Sequence, residues 1–237
     1  MKNHVVLFSG GYDSTALLLS LIYDKKINPE EIIALNIHYG QRNIPETYVA
    51  KSLCNKYNIT LDSIDITPIA EQIFNSTSLV NKNIQVDTEL DKNKQPNTYV
   101  PNRNMLFLSI ALSYAENIGA HNVYTAIQPH EKYYYWDATK EFIDKINDVV
   151  KLNPFGIKVH APFATMSKKD ILDYAMKIGI PVEDLKRAWS CYNPIIEKDG
   201  VMLIYKPCGK CGACQERQEV LLQEPLKINI KTLPKTI

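Results

Sequence analysis

The sequence predicts an α/β protein: a parallel, doubly wound sheet over residues 1–185, followed by a small cysteine-bearing subdomain over residues 186–237. Three observations carry that reading. Short apolar runs alternate with helical patterns in the order strand, helix, strand, helix, strand. The first run breaks at two glycines and passes straight into an apolar helix. Four cysteines, Cys191, Cys208, Cys211 and Cys214, crowd the C-terminal part, while Cys54 stands alone in a predicted helix as a simple buried residue.

Val5, Val6, Leu7 and Phe8 suffice for a short buried strand, and Ser9-Gly10-Gly11-Tyr12-Asp13-Ser14-Thr15 turns it into a helix that continues through Ala16, Leu17 and Leu18. Such a corner leaves the first helical amides unpaired, and with the helix dipole they form a phosphate site. The glycines let the backbone approach a phosphate, and Ser9, Ser14 and Thr15 add hydroxyls. The Walker pattern needs a lysine here and the dinucleotide fingerprint a third glycine; both are absent. The run Ser-Gly-Gly-Tyr-Asp-Ser instead resembles the pyrophosphate loop of enzymes that split ATP into AMP and pyrophosphate. Asp13 suits a magnesium ion, or simply caps the helix.

With 237 residues, 45% of them apolar, the chain has room for one full domain and an appendage. A net charge of +1 gives no whole-molecule field toward DNA or a membrane. Neither a signal peptide nor a membrane-length apolar run is visible, so a cytoplasmic protein is expected.

Residues 32–39 read as a second buried strand, ended by Gly40-Gln41-Arg42. Pro45 opens a helix through about Tyr57, and residues 59–66 alternate as a third strand. Ligands on such sheets sit beyond the carboxyl ends of the strands, which puts Ser9 to Ser14 and His38 to Arg42 on one rim. Residues 74–98 are polar and aperiodic, reading as a mobile loop or lid, or as exposed linker. Asn102 or Asn104 caps the next helix, which Gly119 ends; Arg103 at its start is a candidate phosphate clamp. A fourth strand over residues 121–127 leads to a loop crowded with Tyr133, Tyr134, Tyr135 and Trp136, a platform for a planar base, a subunit contact or a cap on the core. Asp137 is expected to cap a helix bearing Glu141 and Phe142; the two carboxylates, four apart on one face, read by themselves as solvated helix charges, or as acceptors for a guanine-like edge. A short strand over residues 157–163 precedes the capping box Ser167-Lys168-Lys169-Asp170. Lys168 in that first turn opposes the helix dipole, as a lysine reaching for a phosphate would.

Cys208-Gly-Lys-Cys211-Gly-Ala-Cys214 spaces three thiols two residues apart, with small residues that let the sulfurs converge. Four thiolates make a closed structural zinc site, with an iron–sulfur cluster as the rival. Asp199-Gly200 between two apolar runs marks a hairpin that returns Cys191 to Cys208.

Taken together, the two ends resemble the 7-cyano-7-deazaguanine synthase (QueC) family. The match includes Phe-Ser-Gly-Gly-Tyr-Asp-Ser-Thr (8–15), Tyr-Gly-Gln-Arg (39–42), Tyr-Val-Pro-Asn-Arg-Asn (99–104), His-Ala-Pro-Phe (160–163), Trp-Ser-Cys-Tyr (189–192) and Pro-Cys-Gly-Lys-Cys (207–211). The resemblance implies a Rossmann-like, HUP-type fold and an ATP-dependent ligase acting on 7-carboxy-7-deazaguanine and ammonia. It implies ATP, Mg2+ and Zn2+ as cofactors and a homodimer, with residues 195–205 as a plausible contact. It places ATP on residues 8–18 with Arg103 and Lys168, and catalysis on Ser9, Asp13, Arg103 and Lys168. It places the substrate on Tyr39, Gln41, Arg42, Trp136, Asp137, Glu141 and Phe142, and zinc on the four clustered cysteines.

The chain departs from the family pattern in three places: the loop over residues 128–135 lacks the usual acidic, glycine-containing pattern, the spacing from Cys191 to Cys208 is longer than usual, and residues 135–142 differ. Tyr135-Trp136-Asp137-Ala138-Thr139-Lys140-Glu141-Phe142 stands where members usually show Tyr-Pro-Asp-Cys-x-Pro-Glu-Phe. Two other readings follow: a divergent adenylating enzyme that stops at the amide or conjugates the acid to a protein or nucleic acid, as in a defence or phage system, and a zinc-knuckle RNA-binding protein with a vestigial loop.

Overall fold

A computed structural model describes residues 2–87, 89–93, 95–130 and 133–229. Strand β1 (His4–Leu7) leads into helix α1 (Tyr12–Tyr23), β2 (Ile32–His38), α2 (Pro45–Tyr57), β3 (Thr60–Asp65) and α3 (Thr67–Ile73). Helix α4 (Arg103–Ile118), β4 (Asn122–Tyr124), α5 (Lys140–Val150), β5 (Lys158–His160), α6 (Lys168–Lys177) and α7 (Val182–Arg187) complete the first part. The remainder is β6 (Ile195–Asp199), β7 (Met202–Lys206), α8 (Gly212–Val220) and β8 (Leu226–Asn229).

The large sheet is wholly parallel in the order β3-β2-β1-β4-β5. From β1 the chain builds outward through β2 and β3, then returns to place β4 on the other side of β1. That reversal creates a crevice beyond the carboxyl ends of β1 and β4, where open α/β sheets hold ligands. Successive strand residues point to opposite faces, so the fully buried neighbours Val5 and Val6 serve two cores. Val6 packs with Leu17 of α1, Leu53 of α2, Ile171 of α6 and Leu185 of α7. Val5 packs with Leu108 and Ala111 of α4 and Phe142 and Ile143 of α5. Helices therefore cover both faces, as expected of a doubly wound sheet.

The C-terminal strands form a separate antiparallel sheet, β6-β7-β8. The hairpin closes at the Asp199–Met202 pair, and Gly200 takes the positive φ of 56° that the turn requires. Strand β8, the alternating run Leu226-Lys227-Ile228-Asn229 after Pro225, joins this sheet in addition to the expected hairpin. Cys191, Trp189, Tyr205, Cys211, Cys214 and Ile228 join the same apolar cluster as α1, so this part has no core of its own.

Local expectations fare unevenly. Ser167 and Asp170 form the capping box: Ser167 Oγ accepts from the Asp170 amide at 3.2 Å, and Asp170 Oδ2 accepts from the Ser167 amide at 2.9 Å. Asn102 stands at the N-cap of α4 with φ 55° and makes no side-chain cap. Asp137 supplies it from a distance, its Oδ2 accepting from the Asn104 amide at 3.0 Å. Asp137 thus does not cap α5; a short 3-10 turn, Trp136–Ala138, intervenes, and Thr139 Oγ1 accepts from the Phe142 amide at 3.1 Å. The polar stretch after α3 is fastened down rather than free. Asn97 bonds to Ser78 and Gln85, Leu79 and Val80 are buried, and Arg42 donates to the carbonyls of Asn81, Lys82 and Ile84. Among the described residues, no helix is long and apolar enough to cross a membrane.

Candidate active site

The corner between β1 and α1 is shaped by its glycines. Gly10 has φ +92°, and a Cβ there would stand 2.2 Å from the Glu46 carbonyl oxygen, so only glycine lets the corner lie against α2. Gly11 donates to Ser9 Oγ at 3.0 Å, and Ser9 Oγ meets Ser14 Oγ at 3.1 Å. Among the described residues, the amides of Tyr12, Asp13 and Ser14 donate to no protein acceptor; the first helical amide with a partner is Thr15, to Gly11 at 2.9 Å. Three N–H groups at a positive helix end are therefore available to an anion. The far end of the chain steadies the corner: the Trp189 amide donates to the Gly10 carbonyl at 3.0 Å.

These groups open into a cavity of about 340 Å³ at the switch point. Its floor is Phe8, Ser9, Gly11, Tyr12, Asp13 and Ser14. Tyr39 and Gln41 enter after β2, Glu46 from α2, and Arg103, Asn104 and Phe107 from α4. Gln128, His130, Tyr133, Tyr135 and Asp137 form the wall after β4, and Lys168, Tyr192 and Glu216 close it. Flat rings are concentrated on that wall, where Tyr99 and Tyr135 stack 5.7 Å apart with planes 4° apart.

The charges form a chain. Lys168 Nζ lies 2.9 Å from Asp13 Oδ2 and 3.3 Å from Glu216 Oε2, and Glu216 also bonds His130. Burial alone would lower the Lys168 pKa, but the charges of Asp13 and Glu216 outweigh it and hold the pKa above its usual value. Burial likewise pushes against Glu216, yet His130 and Lys168 hold its carboxyl below its usual value. Burial pushes the Glu46 carboxyl up to about 8, although Arg103 works against it. Arg103 is desolvated, and Tyr39, Tyr192 and Asp137 keep it firmly cationic.

The four cysteines meet beside this cavity, with their sulfurs all within 4.8 Å of one another. The hairpin returns Cys208 to Cys191, the Cys208 amide donating to Cys191 Sγ at 3.3 Å; the amides of Lys210 and Cys211 donate to Cys208 Sγ at 3.4 Å. Amide donors to sulfur favour thiolates, and the buried guanidinium of Arg217, on α8, interacts electrostatically with Cys214. The donor set and its spacing fit a tetrahedral ion such as zinc.

A family model described as queuosine biosynthesis protein QueC matches residues 3–224. The chain belongs to the QueC family. A relative from Colwellia psychrerythraea strain 34H, 7-cyano-7-deazaguanine synthase 1, is 35% identical over 216 residues, covering 91% of this chain and 91% of that protein. The 7-cyano-7-deazaguanine synthase of Pseudoalteromonas translucida is 33% identical over 228 residues, covering 94% of this chain and 97% of that protein. Among solved structures, an ammonia-dependent NAD synthetase from Campylobacter jejuni covers 79% of this chain and 69% of its own, at 18% identity and TM-score 0.45. The QueC assignment sets aside the reading of an RNA-binding knuckle with a vestigial loop.

Within this QueC-family fold, the expected site residues divide. Phe8, Ser9, Gly11, Tyr12, Asp13, Ser14, Arg103 and Lys168 line one cavity, as do Tyr39, Gln41 and Asp137. Gly10 lies behind it against α2, and Thr15, Ala16, Leu17 and Leu18 are fully buried in the core, so no ligand reaches their side chains. Four expected substrate contacts sit elsewhere. Arg42 is spent on carbonyls of the 81–84 turn. Glu141 is exposed on α5, Phe142 is in the core, and Trp136 packs edge-on against Phe142. The 3-10 turn before α5 breaks the four-residue spacing that would have paired Asp137 with Glu141.

Two residues that line the cavity carry no signal in the sequence reading. Glu46 follows Pro45 and reads as an acid favoured by a helix dipole; only the packing of α2 on Gly10 turns it inward. Glu216 lies two residues past the last cysteine, and its role depends on α8 being laid across the cavity.

Proposed function

We propose that this chain converts 7-carboxy-7-deazaguanine and ammonia to 7-cyano-7-deazaguanine, splitting ATP into AMP and pyrophosphate. The observation that carries the reading is the set of unengaged amides of Tyr12, Asp13 and Ser14, facing Lys168 and Arg103 across one cavity in a QueC-family chain.

In this reading the loop amides and the Ser9 and Ser14 hydroxyls grip the pyrophosphate as it leaves. Arg103 clamps phosphate oxygens, and Lys168 moves from its acidic partners to the nucleotide. A magnesium ion held by Asp13 would supply charge neutralisation on the departing pyrophosphate. The substrate carboxylate takes the AMP group, ammonia displaces AMP to give an amide, and a second ATP activates the amide oxygen, whose loss with AMP leaves the nitrile. Tyr133 and Tyr135 offer a stacking face for the base. Gln41 has its carboxamide oxygen committed to the Tyr39 amide at 2.8 Å, which leaves its NH2 to offer. Asp137 has one oxygen on Asn104 and the other to accept from the guanine-like edge.

Four thiolates leave no open position, so zinc at Cys191, Cys208, Cys211 and Cys214 would be structural. The reading includes a cytoplasmic homodimer joined through the hairpin, whose Ile195 and Ile196 are exposed. Mass spectrometry of the product from 7-carboxy-7-deazaguanine, ammonium and Mg-ATP tests the proposal. The nitrile is expected. Product halted at the amide would favour the divergent reading, for which the displaced Glu141 speaks, and the absence of acid-dependent pyrophosphate release would overturn both.

A further inference from the structure

We propose that Glu46 is the base that takes a proton from ammonium before the nitrogen attacks; this rests on the ligase reading above. Free ammonia is almost entirely ammonium at neutral pH, and ammonium has no lone pair to attack with. The site must therefore bind a small cation and deprotonate it. Among the described residues, the other acids of the cavity are committed. Asp13 and Glu216 share Lys168, Asp137 caps α4, and Asp87 accepts from Asn97. Among the described residues Glu46 shares no ion pair; its carboxyl is hydrogen-bonded by Ser9 and Asn43 and feels the charge of Arg103. Its Oε1 comes within 3.1 Å of where a Cβ on Gly11 would stand, so the carboxylate lies directly over the loop, near Ser9 and Asn43.

The charged and titratable groups facing Glu46 are Arg103 from α4, Asp13 from α1, Tyr39 after β2 and Tyr192 from the C-terminal segment. Burial outweighs Arg103 and raises its carboxyl to about 8, closer to ammonium than a carboxylate in water would be. A base matched in this way transfers the proton with little driving-force penalty. In the step, Glu46 acts in its ionised form, the fraction that grows as pH rises toward 8, and takes one proton from ammonium. The freed lone pair forms the C–N bond at the activated carbonyl carbon, and the C–O bond to AMP breaks with its electron pair leaving on AMP. The nitrogen's surplus proton and that of Glu46 then pass to cavity water.

Hydroxylamine separates this role from the others, because it is mostly neutral at neutral pH and traps acyl adenylates without a base. In Glu46→Gln, product formation with ammonium should fall about 100-fold, the lower range for loss of a general base. Hydroxamate formation and acid-dependent exchange of pyrophosphate into ATP should change less than about threefold. Equal loss with both nucleophiles, loss of the exchange, or no loss with ammonium would each overturn the proposal. Should Glu46→Gln not fold, Glu46→Asp carries the same test, with a smaller but still ammonium-selective loss expected and an equal loss overturning it. Wild-type protein lacking the exchange would instead point to failure of the ligase reading itself.

Discussion

The ammonium of Lys168 stands 2.9 Å from Asp13 Oδ2, although the two residues are 155 positions apart. The first turn of α6 is thereby brought onto the first turn of α1, and a cation waits at a phosphate loop. In Lys168→Ala, acid-dependent pyrophosphate release should fall about 10²–10³-fold, the usual effect of removing one electrostatic stabiliser. Far-UV circular dichroism should be unchanged. Turnover within tenfold of wild type would remove Lys168 from the chemistry.

Gly10 has both a positive φ and a backbone oxygen where a Cβ would go. Gly10→Ala should therefore destabilise the protein by about 3 kcal/mol or more, since overpacking and backbone strain add. Urea unfolding measures it. Gly119, whose would-be Cβ meets nothing within 4 Å, is the internal comparison and should lose less on the same change.

Asp137 Oδ2 holds the Asn104 amide at the start of α4. Asp137→Ala should cost about 1 kcal/mol of stability, as for other lost helix caps. If its second oxygen reads the base, KM for the acid should also rise while KM for ATP does not; steady-state kinetics separates the two.

Cys211 is the residue before α8, and α8 carries Glu216 to Lys168. Cys211→Ala should lose bound zinc by elemental analysis and lower Tm. Activity should fall with the metal even though no sulfur lines the cavity, because Glu216 loses its support. A folded, metal-loaded Cys211→Ala protein would refute the structural-zinc assignment.

Glu46 gives a pH signature. Its folded pKa of about 8 lies above the unfolded value, so the folded state holds an extra proton between the two. Stability from this group must then fall as pH rises from the unfolded carboxylate range to about 8. Glu46→Gln has no such dependence. The stability of the variant relative to wild type should therefore grow between about pH 5 and 8 and level off above. Urea midpoints across that range measure the difference; a flat difference would show that the carboxyl is ionised throughout.

Much of this molecule is legible in chain order because its signals are local. An apolar run broken by Gly10 and Gly11, Ser167 with Asp170 three residues on, and thiols spaced two apart each express geometry within one or two turns of backbone. Strand and helix rhythm then supplies the doubly wound sheet, and the sheet supplies the rim on which Ser9 and Gln41 meet.

Side-chain company across the molecule follows a different logic. Whether Asp137 faces Glu141 or caps α4 depended on a three-residue turn that no period announces. Arg42 stands beside Gln41 in sequence, yet the carbonyls of the 81–84 turn draw its guanidinium away from the cavity. Glu46 and Glu216 acquire their roles only when α2 packs on Gly10 and α8 lies across Lys168. Burial and long-range contacts set the charge and direction of those carboxylates, and neither exists until the chain has closed on itself.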